Sequence, residues 1–321
     1  MKESPLFWPI KLENNTIFCL DETALPDKLS YLKAQDTKQA LELIKGMKTR
    51  AFGQVLMAYN IFLLLLKKTR SLKPEKQIKV LKTAAQKINQ SRPTFPFTFF
   101  TAMVLAWAKE AQQNKKNISL VVKDKINGFL VDLRQKRIDQ ALTLSRLIKD
   151  GASILTHCNV SGSLVLVAQF CCQQGKKIRF FVTETRPYLQ GLRLTAWELQ
   201  RAKFNVTIVA DNTAAYLMSQ GLVNLVVVGA DQLAKNGDIA NKIGTYQIAL
   251  LAHKFHLPFY VLSPPPSPAK TGKDIKIELR PEKELLEFSG KRIAPKGAKG
   301  FYPAFDVTPH SLITKHITLD L

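Results

Sequence analysis

The sequence predicts an α/β protein: a smaller, mostly helical N-terminal domain over residues 1–124, followed by a domain with a mainly parallel sheet over residues 125–321. Two observations predict this class. Apolar residues recur near the helical period of about 3.6 in the first part, and short β-branched runs alternate with helical stretches in the second. The length of 321 residues agrees, because one domain takes roughly 100–200 residues.

The helices of the first part are predicted from their length and apolar spacing. The expected ranges are 36–47, 54–68, 74–89 and 97–113, with a further helix over about 125–149. Pro74 suits the first position of a helix, where its missing N–H is not needed. The most apolar stretch, 55–66, is shorter than the roughly 20 residues that span a bilayer, so we expect a buried helix and no membrane partner.

Strands and helices alternate in the second part. Strands are expected at 153–158, 178–184, 205–210, 225–229 and 259–262, and helices at 163–174, 195–203, 214–220 and 241–255. This alternation predicts a Rossmann-like sheet covered on both faces. Polar clusters follow four of the strands, at 156–159, 184–187, 211–212 and 229–231. Because such sheets bind ligands beyond the carboxyl ends of their strands, these clusters predict the site.

The chain is strongly basic, with 47 Lys and Arg against 25 Asp and Glu and a formal net charge of +22. Such a balance favours anionic partners, which include nucleic acids, membrane surfaces and small phosphates. The lysines are spread through helical segments, and no basic motif is interleaved with aromatic residues. We therefore expect mainly a solvated basic surface and no nucleic-acid partner.

Cysteine use and the N-terminus indicate the compartment. The four cysteines, Cys19, Cys158, Cys171 and Cys172, show no regular disulfide spacing, which favours a reducing environment. Residues 1–20 contain acidic and polar residues and do not resemble a signal peptide. We therefore expect a cytoplasmic protein.

The sequence predicts no cofactor. Paired histidines at metal-ligand spacing, a Walker A loop and a dinucleotide fingerprint are all missing from it. We therefore expect neither a metal nor a nucleotide cofactor.

Two residues at strand exits are candidates for catalysis. Cys158 precedes a turn rich in Gly and Ser, where a helix N-terminus would favour its thiolate; a buried small hydrophobe is the equally weighted alternative. Asp231 lies over the predicted ligand crevice at the end of the fourth strand. By strand alternation His157 should point away from Cys158, which indicates a structural role.

Cationic and amide side chains are candidates for substrate contacts. Lys242 lies at the predicted start of a helix, where a cation is unfavourable unless an anion is shared with the helix end. Guanidinium groups bind phosphate in a bidentate manner, so Arg50, Arg92 and Arg186 are candidates, although a single Arg is usually a surface residue. Gln190 could hydrogen-bond sugar hydroxyl groups or only cap a turn.

Several longer motifs together resemble a known family. They are LTHCN at 155–159, ETRPYLQGLRLTAWEL at 184–199, VGAD at 228–231, NGDIANKIGTY at 236–246, YPAFDVTP at 302–309, and LDE with LP at 20–22 and 25–26. The chain resembles the methylthioribose-1-phosphate isomerase family over nearly its whole length. The wider superfamily also contains ribose-1,5-bisphosphate isomerases and the regulatory subunits of eukaryotic translation initiation factor 2B.

The resemblance implies an aldose–ketose isomerase that converts 5-methylthioribose 1-phosphate to 5-methylthioribulose 1-phosphate in methionine salvage. It also implies a homodimer. Cys158 and Asp231 match the catalytic pair of the family, and its substrate contacts fall on Arg50, Arg92, Gln190, Asn241 and Lys242. The alternatives are an isomerase of another sugar 1-phosphate, such as ribose 1,5-bisphosphate, and a non-catalytic binding protein like the initiation-factor subunits.

The resemblance also suggests a mechanism. Asp231 would protonate the ring oxygen and later shuttle protons, a role that needs shelter from water, while Cys158 would relay the hydrogen of C2. Hydride transfer from C2 to C1, with Cys158 only shaping a dry pocket, is the alternative.

One segment departs from the family. The usual Arg-Gly-Ala-Pro is replaced here by Arg50, Ala51, Phe52 and Gly53. A glycine at the second position would allow close backbone approach to the phosphate. We expect its loss, together with the arrival of Phe52, to reshape the phosphate or substituent pocket.

Overall fold

A computed structural model describes residues 3–93 and 95–320, so Thr94 lies outside the described residues. The chain divides into two compact units. The N-terminal unit comprises Pro5–Gln135, and the C-terminal unit comprises residues 136–320 together with residues 3 and 4. The division falls inside a long helix, later than the predicted boundary at 124.

The N-terminal unit is mostly helical, as predicted, but it begins with a small antiparallel sheet that the sequence did not indicate. The strands are β1 (Ile10–Glu13), β2 (Thr16–Leu20) and β3 (Tyr31–Ala34), in that order. The helices are α1 (Thr37–Lys45), α2 (Ala51–Thr69), α3 (Pro74–Ser91), α4 (Phe97–Gln113) and α5 (Ile118–Leu147), which continues past the division.

Helix α2 forms the core of the N-terminal unit. It has 19 residues, longer than the apolar stretch seen in the sequence, and is the one helix of the described residues long and apolar enough to cross a membrane. However, 67% of its apolar window is buried inside the protein. This burial is what a core helix shows, and the buried helix predicted for 55–66 is confirmed.

The C-terminal unit is built on a six-stranded sheet whose pairs are all parallel, so the predicted fold class is confirmed. The strand order is β14-β10-β7-β4-β5-β6. The strands of this unit are β4 (Ser153–Thr156), β5 (Arg179–Thr183), β6 (Asn205–Val209), β7 (Leu225–Gly229), β8 (Gln232–Leu233), β9 (Ile239–Lys242), β10 (Phe259–Ser263), β11 (Glu287–Phe288), β12 (Lys291–Arg292), β13 (Phe305–Thr308) and β14 (Lys315–Thr318).

Apolar side chains bury one face of this sheet against helices. Leu155, Val226, Val228 and Val261 of the strands join Ile248 of a helix in one core cluster. The helices of the unit are α6 (Ser163–Gln173), α7 (Ala196–Arg201), α8 (Ala214–Ser219), α9 (Thr245–Lys254) and α10 (Lys283–Leu286). A π-helical turn at Gly191–Thr195 leads into α7.

The predicted helix at 241–255 is partly wrong. Asn241 and Lys242 lie on β9, which pairs with β8 on one side and β13 on the other. Helix α9 starts only at Thr245, after Gly244 with φ of 104°. The physical reason is the antiparallel pairing with β13, a partner distant in sequence that no local pattern reveals.

The strand order creates a topological switch point between β4 and β7. These strands are neighbours, but the chain runs from β4 outward to β5 and β6 before it returns to β7. Connections on the two sides of this point diverge, which leaves a crevice at the carboxyl ends of the two strands. The fold therefore places its ligand crevice between the loops that follow β4 and β7.

Candidate functional site

Cys158 and Asp231 follow the two strands that flank the switch point. The register of β4 and β7 pairs Leu155 with Val226, so its continuation brings Cys158 to the level of Gly229, two residues before Asp231. Neighbouring strands lie about 4.8 Å apart. The topology thus brings the thiol-bearing and the carboxylate-bearing loops together.

The backbone of Cys158 is held in an unusual conformation. Its φ of 64° is left-handed, its N–H donates to Thr185 Oγ1 at 2.9 Å, and its carbonyl accepts from Thr195 Oγ1 at 2.6 Å. The side chain is half-buried. Helix α6 begins at Ser163, as predicted, and residues 159–162 form the turn between Cys158 and the helix, so the thiol lies four residues before the helix N-cap rather than at it.

Asp231 links the end of β7 to β9. Its N–H donates to the carbonyl of Ala240 at 2.9 Å, which brings it beside Asn241, the next residue of β9. A Cβ placed on Gly229 would lie 3.2 Å from Val160 Cγ1, so the loop after β4 packs directly on the end of β7. Asp231 is half-buried, at the rim of the crevice.

His157 is a structural residue, in agreement with the expectation from strand alternation. Its Nδ1 lies 2.6 Å from Thr183 Oγ1 and its Nε2 lies 2.9 Å from the carbonyl oxygen of Ile243. Burial lowers the pKa of His157, which favours the neutral ring. The imidazole therefore joins β5 to the turn after β9.

Gln190 lies in the turn after β5. The next residue, Gly191, lets this turn pack closely against the end of β5, because a Cβ there would lie 1.8 Å from the carbonyl oxygen of Thr183. The Gln190 side chain is 4% exposed, and its Oε1 has no hydrogen-bond partner among the described residues. Arg186 of the same turn donates to the carbonyls of Pro187 and Leu285, which favours a structural role over phosphate binding.

Asn241 and Lys242 are both buried on β9. Asn241 Nδ2 donates to Thr245 Oγ1 at 3.0 Å. The ammonium group of Lys242 lies 3.3 Å from the hydroxyl oxygen of Tyr302 and 5.0 Å from the ring centroid of Phe305. These contacts place the buried ammonium group of Lys242 beside two aromatic faces, which favour a cation.

The N-terminus of α9 is already filled by a carboxylate. Asp306 accepts the N–H groups of Gly244 at 2.7 Å and Tyr246 at 3.1 Å. Burial raises the pKa of Asp306 to about 6. The idea that Lys242 shares an anionic ligand with this helix end is therefore wrong, since Asp306 on β13 takes that place.

Arg50 and Arg92 both lie at the N-terminal end of α2 in the N-terminal unit. Arg50 is the N-cap residue, and Arg92 Nη1 donates to Gln54 Oε1 at 3.1 Å. The backbone N–H of Arg50 and the hydroxyl of Thr49 both donate to Glu22 Oε1, at 3.1 and 2.6 Å. The N-terminus of a long helix thus carries Arg50 at its cap position and the Arg92 guanidinium bonded to its first turn, an arrangement that suits a phosphate.

In the segment that departs from the family, a close packing contact that requires glycine occurs at Gly53, two residues after Ala51. A Cβ on Gly53 would lie 1.8 Å from Thr49 Oγ1, so only glycine fits there. Phe52 packs edge-on against Trp8, with the ring centroids 5.6 Å apart. The aromatic ring thus has a packing partner inside the N-terminal unit.

The seven candidate residues form two groups. In the C-terminal unit, Cys158, Gln190 and Asp231 follow β4, β5 and β7, and Asn241 and Lys242 lie on β9, whose Ala240 bonds to Asp231. In the N-terminal unit, Arg50 and Arg92 lie at one helix end. Among the residues that the structure describes, no group of three or more His, Cys, Asp or Glu side chains is placed to hold a metal ion.

Two acids at the site were not singled out from the sequence. Asp306 caps α9, and Glu198 of α7 is buried and bonds to Asn159 in the loop after Cys158. Both belong to motifs that carry the family resemblance. Apart from these motifs, nothing in the sequence pointed to a buried acid, since a single acidic residue is usually at the surface.

Comparison with known proteins identifies the class. A sequence model described as "Initiation factor 2 subunit family" matches residues 52–319. The chain belongs to the initiation factor 2 subunit family.

Individual relatives narrow the comparison. A methylthioribose-1-phosphate isomerase from Fervidobacterium nodosum is 37% identical, over 95% of this chain and 91% of its own length. A 5-deoxyribose 1-phosphate isomerase from Bacillus cereus is 35% identical, over 97% of this chain and 93% of its own. The crystal structure of 5-methylthioribose 1-phosphate isomerase from Pyrococcus horikoshii superposes with a TM-score of 0.84 at 29% identity, covering 99% of this chain and 93% of that one. The resemblance found in the sequence is confirmed.

Proposed function

We propose that the chain is an aldose–ketose isomerase that converts 5-methylthioribose 1-phosphate to 5-methylthioribulose 1-phosphate. The observation that carries the proposal is the position of Cys158 and Asp231 directly after the two strands that flank the switch point. Ligands of parallel sheets bind at this place. The names of the relatives at 37% and 35% identity support a sugar 1-phosphate as substrate.

The reaction must open a ring before it can move a hydrogen, because the phosphate on C1 masks the aldehyde. In the proposed step Asp231 gives its proton to the ring oxygen as the bond from that oxygen to C1 breaks. The Cys158 thiolate takes the proton from C2 and returns it to C1, while Asp231 accepts the proton of the C2 hydroxyl. The product is a ketone at C2, and both side chains regain their starting states.

The phosphate group is assigned to Arg50 and Arg92. Its support is the position of both residues at the N-terminus of α2, Arg50 as the N-cap residue and Arg92 through its bond to Gln54, where a helix of 19 residues presents its positive end. Bidentate guanidinium contacts fix both the position and the orientation of a phosphate.

The sugar hydroxyl groups are assigned to Gln190, Asn241 and Lys242. Gln190 supports this with its buried Oε1, which has no partner among the described residues and can accept from a hydroxyl group. Asn241 and Lys242 are buried on β9 beside Asp231. Amide and ammonium donors so close to the reacting carbons would hold the open-chain sugar in place.

The position of the substrate that still has to be identified is the substituent at C5 of the sugar. The names of the two relatives favour a small uncharged substituent, methylthio or hydrogen, over the second phosphate of ribose 1,5-bisphosphate. A non-catalytic role like that of the initiation-factor subunits is not favoured by these comparisons. A non-catalytic role would also not explain why a thiol and a carboxyl group follow the two strands at the switch point.

We further propose a cytoplasmic homodimer. The lack of disulfide spacing among the cysteines supports a reducing compartment. Apolar side chains exposed on neighbouring elements of the C-terminal unit support a self-association face: Ile208 on β6 is 48% exposed and Tyr216 on α8 is 62% exposed. Light scattering after size-exclusion chromatography should give twice the chain mass of 36.1 kDa.

The test of the main proposal is direct. Purified protein is incubated with 5-methylthioribose 1-phosphate, 5-deoxyribose 1-phosphate and ribose 1,5-bisphosphate in parallel, and the ketose is followed by NMR. Asp231→Asn and Cys158→Ser should each lower kcat at least a thousandfold, because a proton donor and a proton relay are lost.

Matched controls separate chemistry from folding. Cys172→Ser removes an exposed thiol and Glu287→Gln an acid outside the crevice, so both should turn over like the unaltered protein. Circular dichroism should show all four variants folded. Full activity in Asp231→Asn, or binding of all three sugars without turnover, would overturn the proposed function.

A further inference from the structure

A buried carboxyl group bonds to the loop that carries Cys158. Glu198 on α7 is 2% exposed, and burial raises its pKa to about 7. Three donors face it: Ser4 Oγ at 2.6 Å, Asn159 Nδ2 at 2.9 Å and the backbone N–H of Gly162. A buried acid is costly to keep, so its presence here calls for a reason other than packing.

The loop itself is strained and needs such anchors. Cys158 has φ of 64° and Ser161 has φ of 46°, both in the left-handed region that side chains rarely adopt. Each such residue costs on the order of 1–3 kcal/mol and persists only when its surroundings hold it. Two such residues within four positions of the chain lie in the loop that presents the thiol.

Asn159 connects Glu198 to this strained backbone. Its Nδ2 donates to both Glu198 Oε1 and Thr195 Oγ1, at 2.9 and 3.0 Å, while its Oδ1 accepts the N–H of Ser161 at 2.8 Å. Thr195 in turn donates to the carbonyl of Cys158 at 2.6 Å. An unbroken chain of hydrogen bonds thus runs from the carboxylate to the backbone of Cys158.

Arg137 of α5 holds the other end of the same loop. Its Nη2 donates to the carbonyl of Ser161 at 2.7 Å and lies 2.9 Å from Ser163 Oγ. Its charge also favours the ionised form of Glu198. The loop is therefore clamped between an acid and a cation that are both buried.

We propose that Glu198 is a positioning residue for Cys158: it acts through Asn159 and Thr195 to fix the left-handed backbone that aims the thiol into the crevice. Glu198 does not touch the reacting atoms in this role. The kinetic part of the inference rests on the proposed function, whereas its chemical part concerns only the thiol of Cys158.

The test replaces the acceptor without changing its size. Glu198→Gln puts an amide NH₂ group where donors already point, so one bond of the cluster must break. We expect kcat for 5-methylthioribose 1-phosphate to fall at least tenfold while KM stays within about threefold, because the contacts with substrate remain. We also expect iodoacetamide to alkylate Cys158 at least three times faster, measured by peptide mass spectrometry, because the loosened loop exposes the half-buried thiol.

A double-mutant cycle with Asn159→Ala shows whether the two residues act as one chain. If Glu198 works through Asn159, the double variant should lose little more kcat than either single variant, since the link is already cut. Leu217→Ala is the control for general destabilisation, because Leu217 is buried in the sheet core on α8 and outside the hydrogen-bond chain. It should lower the melting temperature and leave both readouts unchanged.

Each of these experiments has a result that would overturn the proposed role of Glu198. Unchanged kcat and alkylation rate in Glu198→Gln, fully additive losses in the cycle, or equal effects of Leu217→Ala would overturn the proposal. Should Glu198→Gln not fold, Asn159→Ala alone cuts the same chain, and normal values in that variant would overturn it equally. If no sugar is isomerised by the unaltered protein, the proposed function fails, but the alkylation measurement still decides the role of Glu198.

Discussion

The carboxylate of Asp306 accepts the backbone N–H of Gly244 at 2.7 Å and thereby closes the N-terminus of α9. Asp306 lies on β13 directly opposite Asn241 of β9. One acid thus caps a helix and fixes the strand that carries two candidate substrate contacts. The stability of α9 and the placement of Asn241 and Lys242 depend on the same side chain.

Asp306→Ala should therefore weaken both folding and substrate binding. Loss of an N-cap costs about 1 kcal/mol, and the uncapped N–H groups, partly buried, add to this. We expect the free energy of unfolding in urea to fall by about 1–3 kcal/mol and KM to rise. Asp36→Ala is the matched control, because Asp36 caps α1 by accepting the N–H of Gln39 at 2.8 Å. An equal KM in the two variants would contradict the proposal that Asp306 fixes the strand that carries Asn241 and Lys242.

Arg92→Ala should raise KM with little change in kcat. A bidentate contact with phosphate holds the substrate equally in the ground state and in the transition state, and its loss costs about 1.5–3 kcal/mol, or roughly ten- to a hundredfold in KM. Arg292→Ala is the control, since it removes the same charge from an exposed position bonded to the carbonyls of Pro295 and Ala298. A drop in kcat at constant KM would instead place Arg92 in the chemical step.

Gln190→Met should stabilise the protein while it impairs binding. The buried Oε1 of Gln190 has no partner in the part of the chain described, so an apolar side chain of similar volume removes a desolvation cost of about 1–3 kcal/mol. We expect the melting temperature to rise and KM to increase, the pattern of a residue kept for function. A lower melting temperature would show that another group satisfies this oxygen, and an unchanged KM would remove Gln190 from the site.

Five of the six strands of the parallel sheet were predictable, because each contains a run of apolar and β-branched residues that leaves a local pattern. The edge strand β14 was missed, since Lys315–Thr318 is short and mostly polar. The switch-point residues followed from the ends of those runs. The strand β9 was not predictable, since Asn241 and Lys242 look like the start of a helix until β13 pairs with them. Glu198 was missed for a related reason: its partners Ser4 and Asn159 lie 194 and 39 residues away in the chain.

Glu198 should also leave a signature in the pH dependence of stability. Its pKa is raised from 4.5 to about 7 in the folded protein, so the folded state holds a proton that the unfolded chain has lost over this interval. Stability therefore falls as pH rises from about 4.5 to about 7, by roughly 3 kcal/mol for the whole shift, and then levels off. The lowered pKa of His157 acts in the opposite direction below its ordinary value of 6.5, so the total stability of the protein does not isolate this effect.

The difference between the unaltered protein and Glu198→Gln does isolate it, because His157 is common to both. The neutral amide resembles the protonated acid, so the free energy of unfolding of the variant should rise relative to that of the unaltered protein by roughly 2.5 kcal/mol between pH 5 and pH 8. Urea denaturation at pH 5, 6, 7 and 8 measures this difference. Two stability curves that stay parallel across the range would mean that Glu198 titrates at its ordinary value, with its burial compensated by Ser4, Asn159 and Arg137.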